Sequence, residues 1–365
     1  MSLINQQKTL GINYNQCQSL RHHALTPSRP QSPTLETFED PRGRRTMETP
    51  HNLPRRALKP GAYAATLTFF NPLNDSLDVA SIRKHAVRLV REEIAGLIVL
   101  GTNGEAPHLV REERNTTIQQ TRSALDEAGF SSTPLIVGAS APSVKETLEL
   151  CREAASSGGD YVLVLPPSYF PGMTPDMVYN FYHQVANESP VPVIIYSFPA
   201  VSAGLTMDSD LLVRLSLHPN ILGTKFTCCD TAKLCRVKAQ TPKHLCFGGL
   251  ADSALPSLVA GADGFIAGGA NIAPRACVRL FDLFTAGKIK EAIEMQRLVS
   301  IGDYEHTRMG IAGTKAVLEH NFGYGGAPRS PLQPLSEESK RALVGKCQQL
   351  MGWETRAVNT NKAIL

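Results

Sequence analysis

The chain has 365 residues, 42% of them hydrophobic and 19% charged, with a formal net charge of +4. This is the composition of an ordinary globular protein with ample material for a core. The small, interspersed charge gives no basic stripe of the kind that nucleic acid or an anionic membrane selects. No run approaches the ~18 apolar residues that span a bilayer, so neither nucleic acid nor membrane is an expected partner.

Residues 1–55 are rich in Gln, Ser, Pro, Arg and His and carry no acidic residue before Glu36. Such a segment buries too little apolar surface to offset its ordering entropy and is expected to be disordered. Its basic, acid-poor character, with Arg21 and Arg29, suits a mitochondrial presequence; Met47 offers a second start that would leave the protein cytoplasmic.

From Ala62 onward, short β-branched or apolar runs alternate with longer amphipathic stretches. Strands are predicted over 63–69, 96–100, 134–137, 161–165, 193–196, 221–226, 245–248 and 264–267. Helices with apolar spacing of three to four are predicted over 79–93, 111–127, 143–157, 175–187, 209–217 and 251–260. Ser143 with Glu146 has the form of a capping box, and Thr174-Pro175 that of an N-cap followed by a first-turn proline. Beyond Arg279 the pattern is helical only, through 289–300, 311–320 and 336–351.

Eight strands, each followed by a helix, match a (β/α)8 (TIM) barrel in count and size. The expected organisation is a leader over 1–55, the barrel over 56–288 and a C-terminal helical annex over 289–365. A doubly wound open sheet is the competing arrangement, but no predicted strand runs into a G-x-G-x-x-G or Walker loop. The eight cysteines lack C-x-x-C pairing and read as reduced thiols in an intracellular compartment.

In such a barrel, chemistry gathers at the carboxyl ends of the strands. Lys225 ends the apolar run Ile221-Leu222-Gly223-Thr224-Lys225, with no carboxylate within four residues on either side. Burial disfavours an ammonium ion, and a lysine attacks a carbonyl only as the neutral amine. The second predicted strand leads into Gly101-Thr102-Asn103-Gly104-Glu105, whose N–H groups, hydroxyl and amide suit a small anion. The fourth leads into Pro166-Pro167-Ser168-Tyr169, and the fifth ends in Tyr196-Ser197-Phe198-Pro199. Gly313-Thr314-Lys315 repeats the Gly-Thr-Lys triplet inside a helical pattern, so Lys315 is expected to be an ordinary helix lysine.

G-T-N-G-E, P-P-x-Y, Y-S-x-P and G-T-K-F-T, in this order on successive strands, resemble the dihydrodipicolinate synthase and N-acetylneuraminate lyase family of class I, pyruvate-handling aldolases. The likeness runs from about Pro60 to Leu335 and includes Gly264-Phe265-Ile266 and Ala270-Asn271. It implies that Lys225 forms an imine with the 2-oxo group, that Tyr196 and Thr102 relay protons, and that Thr102 and Asn103 hold the substrate carboxylate. It also implies that Thr227 and Ile266 line the substrate site, and that Tyr169 completes the relay from a neighbouring subunit of a homotetramer or homodimer. No metal or cofactor is implied, since the iminium withdraws electrons as a Lewis acid would.

Dihydrodipicolinate synthases carry an arginine in the loop after strand five, where this chain has Val201 or Ser202. Neither can pair with a carboxylate, which argues against lysine biosynthesis. Tyr196-Ser197 and Gly323-Tyr324-Gly325-Gly326-Ala327-Pro328 are most similar to the 4-hydroxy-2-oxoglutarate aldolase branch. The open alternatives are a 2-keto-3-deoxy sugar-acid aldolase, a dihydrodipicolinate synthase and an inactive barrel that binds a keto acid. The strand-one rim departs from the family at Phe69-Phe70.

Overall fold

A computed structural model describes residues 56–361, with side chains to residue 356. The leader reading therefore lies outside the described residues. Eight parallel strands close on themselves in sequence order: β1 (Gly61–Ala65), β2 (Gly96–Val99), β3 (Leu135–Gly138), β4 (Tyr161–Val164), β5 (Val193–Ser197), β6 (Ile221–Phe226), β7 (Leu245–Gly248) and β8 (Gly264–Ala267). The outer helices are α1 (Val79–Arg91), α2 (Arg111–Glu127), α3 (Val144–Ser156), α4 (Pro175–Glu188), α5 (Ser209–Ser216), α6 (Thr231–Gln240), α7 (Ala254–Val259) and α8 (Pro274–Thr285). Then come α9 (Ile289–Thr307), α10 (Gly310–Phe322) and α11 (Glu337–Asn361). Among the described residues no helix is long and apolar enough to cross a membrane.

The two-residue period of the strands divides the core. Ala62, Leu97, Val137, Val162, Ile195 and Phe265 belong to a cluster shared with the helices, whereas Tyr63, Ile98, Ile136, Leu163, Ile194, Tyr196, Phe247 and Ile266 fill the barrel interior. The amino end of the interior is tied to the chain leading into β1: the Tyr63 hydroxyl donates to Lys59 O at 2.6 Å and that of Tyr161 to Arg56 O at 2.8 Å.

The helix starts follow local chemistry. Ser143 accepts from the Glu146 N–H and Thr174 from the Met177 N–H, as their N-cap patterns predict. β1 ends at Ala65, four residues short of its predicted limit, and the chain beyond it stays bonded to the β2 side through side chain and backbone. Thr66 N–H donates to Ile98 O, and the Thr68 hydroxyl to Gly104 O at 2.6 Å. α6 and α8 complete the set of barrel helices.

One expectation is overturned. Lys315 is not an ordinary helix lysine: it is fully buried on α10 and its ammonium lies 2.7 Å from the buried Glu105 carboxylate. α10 is buried continuously from Ala312 to Leu318, so no face was left for a solvated lysine.

Candidate active site

Simple alternation counted from Ile221 would put Lys225 on the same outward face. The register shifts between Val193 and Ile194, so that Ile194 pairs with Gly223 and Tyr196 with Lys225. Since Ile194 and Tyr196 point inward, the irregularity turns Lys225 inward as well. Lys225 is 4% exposed, and its Nζ lies 4.3 Å from the centroid of the Tyr196 ring. Among the described residues it makes no hydrogen bond or ion pair. A buried amine without a carboxylate has no fixed partner to give up when it reacts.

Tyr196 links this amine to the carboxyl end of β2. Its hydroxyl is 3.4 Å from that of Thr102, and both residues line a cavity of about 240 Å³ together with Leu163, Arg114 and Val201. Lys225 is not among the lining residues, but it touches Tyr196, which is. Arg114 donates to Gly138 O at 2.6 Å and has no carboxylate within 4.0 Å among the described residues.

The Thr102–Asn103 turn is bracketed by Leu100 and Glu105, non-glycine residues at φ 55° and 52°. Ala203 after β5 and Cys229 after β6 share this left-handed geometry. Strained backbone thus collects at the carboxyl rim, as is common in functional sites. Asn103 packs on Gly268, where a Cβ would come within 2.7 Å of its Nδ2. Thr227 packs on Gly249 in the same way, with its Oγ1 2.2 Å from where a Cβ would stand.

A buried polar chain backs this rim. The Asn271 amide nitrogen donates to Ala65 O and Gly268 O, so its oxygen must accept from His85 Nε2 at 2.8 Å. His85 Nδ1 is then the acceptor for the Tyr324 hydroxyl, whose oxygen takes the Arg88 Nε–H. Burial, with the Arg88 charge nearby, pulls the His85 pKa down to about 3, consistent with this neutral tautomer.

Of the residues expected from sequence, Lys225, Tyr196 and Thr102 are joined by direct contacts, and Asn103 and Thr227 stand on adjoining parts of the rim. Ile266 is fully buried in the barrel interior beside Tyr63. Tyr169 is 79% exposed and touches Phe170 instead of the Lys225 group. It borders a groove that shares Ser140 and Leu165 with the cavity.

Two further hydroxyls were not singled out as site residues by sequence, and they share a feature with the expected Thr227. Ser197, Ser202 and Thr227 each bury an Oγ with no hydrogen-bond partner. An unpaired buried hydroxyl costs about 1–3 kcal/mol, so each calls for a partner that arrives from outside. Sequence offered no signal for the two serines beyond the place of Ser197 at the end of β5 and of Ser202 in the loop after it.

Comparison with known proteins agrees with this geometry. The dihydrodipicolinate synthetase family model matches residues 59–350. An Aspergillus niger protein named L-threo-3-deoxy-hexylosonate aldolase is 46% identical over 325 residues, covering 82% of this chain and 97% of its own. An Emericella nidulans protein named "Probable 4-hydroxy-2-oxoglutarate aldolase, mitochondrial" is 48% identical over 290 residues, covering 79% and 94%. The crystal structure of a dihydrodipicolinate synthase family protein from Coccidioides immitis superposes with a TM-score of 0.73 at 33% identity, covering 82% and 98%. The chain therefore belongs to the dihydrodipicolinate synthetase family and is a Schiff-base (class I) aldolase, a carbon–carbon lyase, within it.

Proposed function

We propose that the enzyme cleaves 4-hydroxy-2-oxoglutarate, or a 2-oxo acid of the same class, to pyruvate and an aldehyde, with Lys225 as the imine-forming residue. The observation that carries this reading is the unpaired, buried Lys225 amine beneath the Tyr196 ring, whose hydroxyl meets Thr102.

The neutral amine adds to C2 of the substrate, the Tyr196 phenol gives its proton to the departing hydroxyl, and water leaves, so that an iminium stands beside a tyrosine phenolate. Tyr196, through Thr102, accepts the proton of the 4-hydroxyl as the C3–C4 pair flows into the iminium. Glyoxylate departs and an enamine remains. Protonation at C3 and hydrolysis then release pyruvate and restore the amine. The Thr102–Asn103 turn holds the C1 carboxylate, Thr227 supplies a hydroxyl, and Ile266 forms apolar floor.

Two observations bear on the distal end of the substrate. Arg114 in the cavity has no carboxylate partner among the described residues, which favours a second carboxylate on the substrate. The unpaired hydroxyls of Ser197, Ser202 and Thr227 support a second reading, a 2-keto-3-deoxy sugar acid of the kind named for the Aspergillus relative. Val201 and Ser202 in place of an arginine leave dihydrodipicolinate synthesis without its carboxylate clamp.

Tyr169, exposed in a single chain, enters the relay of a neighbouring subunit in a homodimer or homotetramer. The name of the Emericella relative supports a mitochondrial location over a cytoplasmic one.

Incubation with pyruvate and borohydride should fix one adduct, at Lys225. Labelling elsewhere, or none, would remove the reading. Pyruvate release from a panel of 4-hydroxy-2-oxo acids, coupled to lactate dehydrogenase, ranks the substrates; no turnover of any would identify an inactive barrel. Imaging fusions with and without residues 1–46 decides the location.

A further inference from the structure

The Thr102–Asn103 turn must stay fixed to a fraction of an ångström to hold a carboxylate in a reactive pose, yet two of its residues occupy backbone conformations they do not favour alone. Something outside the turn therefore holds it. On one side the Thr68 hydroxyl donates to Gly104 O at 2.6 Å.

On the other side the Glu105 side chain leaves the rim and enters the protein, where both oxygens are taken. Oε1 accepts from Lys315 Nζ at 2.7 Å; Oε2 accepts from the Arg329 N–H at 2.9 Å and lies 3.1 Å from His108 Nδ1. Lys315 also donates to Ala327 O at 3.0 Å. The Arg329 guanidinium holds Glu113, at the start of α2, from the same segment. The grip on the turn thus comes from α10 and the chain after it.

We propose that Lys315 is a positioning residue: through Glu105 it sets the place of the Thr102–Asn103 turn, making a helix outside the barrel part of the carboxylate-binding apparatus. The inference rests on the aldolase reading for its kinetic consequence. The competing account is that the pair serves folding alone.

The test uses the full-length protein. Lys315→Met removes one partner, and the double variant Glu105→Gln, Lys315→Met removes both charges while keeping the shape, which guards against a single variant that fails to fold. The first readout is the pyruvate concentration for half-maximal borohydride trapping; the second is backbone hydrogen exchange across residues 101–105. We expect half-saturation to rise roughly tenfold or more in the double variant, with trapping at saturation within about threefold of wild type. We expect exchange across 101–105 to quicken while β4 and β8 stay protected.

Unchanged half-saturation and unchanged exchange in a folded double variant would overturn the proposal and leave a purely structural ion pair. If pyruvate is not trapped by the wild type at all, the aldolase reading falls, and exchange across 101–105 then decides the positioning by the same criterion.

Discussion

Replacing Tyr196 by phenylalanine separates the packing of its ring from the proton relay proposed for its hydroxyl. The ring stays and still covers Lys225 Nζ at 4.3 Å, so packing and the contact with the amine survive. Only the hydroxyl is lost, and its bond to Thr102 is long at 3.4 Å. Such a bond is worth under about 1 kcal/mol to the fold, so the melting temperature should drop by no more than about 4 °C. A positioned acid–base group, in contrast, contributes roughly 10²–10⁴ in rate, or about 3–5 kcal/mol of barrier. Tyr196→Phe should therefore lower kcat for pyruvate release by at least about 100-fold with little change in stability. Thr102→Val, which removes the hydroxyl's partner, should fall in the same direction. If the two act as one relay, the double variant should be scarcely slower than Tyr196→Phe alone. The assay is lactate dehydrogenase-coupled pyruvate release, with thermal unfolding as control. A Tyr196→Phe enzyme within about threefold of wild type, or fully multiplicative losses in the double variant, would refute the relay.

Lys225→Met should abolish borohydride labelling yet leave the melting temperature unchanged or raised, because the amine it removes is buried without a hydrogen bond; a marked loss of stability would show that the amine has a structural partner. Gly268→Ala should raise the pyruvate half-saturation about tenfold with a normal fold, since φ is −69° and the methyl meets only the movable end of Asn103; unaltered half-saturation would remove Asn103 from carboxylate binding. Gly249→Ala should instead cost about 1–3 kcal/mol in denaturant unfolding, because its Cβ would meet the Thr227 backbone at 2.4 Å. Burial pushes the Glu354 carboxyl up to about 7, against the N–H bonds from Arg275 and Ala276. With the folded pKa above the unfolded one, the stability it lends is full below about pH 4.5 and lost as pH rises through 7, a swing of roughly 3 kcal/mol. Glu354→Gln should flatten that part of the stability profile, and a profile identical to wild type would contradict the assignment.

The strands were legible because each is short, apolar and bounded by turn residues, and the rim motifs because a parallel barrel delivers the carboxyl end of every strand to one face. The direction of Lys225 was not legible. Strict alternation from Ile221 sends it outward, and only the shift at Val193 and Ile194, a matter of pairing between two strands, turns it in. Burial of Lys315 escaped for a different reason. Its triplet matches that of Lys225, and what distinguishes the two is the partner each finds: none for one, a carboxylate 210 residues away for the other. The hydroxyls of Ser197, at a strand end, and Ser202, in the loop after it, look like ordinary rim chemistry until the fold buries them without acceptors or donors.

The contrast between the two lysines also explains how one chain can bury both. The reactive amine proposed for Lys225 must not be held by a carboxylate, since releasing the ion pair would add to the barrier of imine formation. The positioning amine proposed for Lys315 needs that carboxylate, and needs it out of water so that the bond stays short. The barrel keeps these demands apart by placing Lys225 on the inward face of β6 and Lys315 on a helix outside it. Exchanging the surroundings should therefore exchange the behaviour. Against a Thr227→Val control that loses only the hydroxyl, a carboxylate brought to the rim as in Thr227→Asp should suppress borohydride trapping at neutral pH, even though the lysine itself is untouched. Trapping at the wild-type rate in that variant would mean that a free, unpaired amine is not what the site requires.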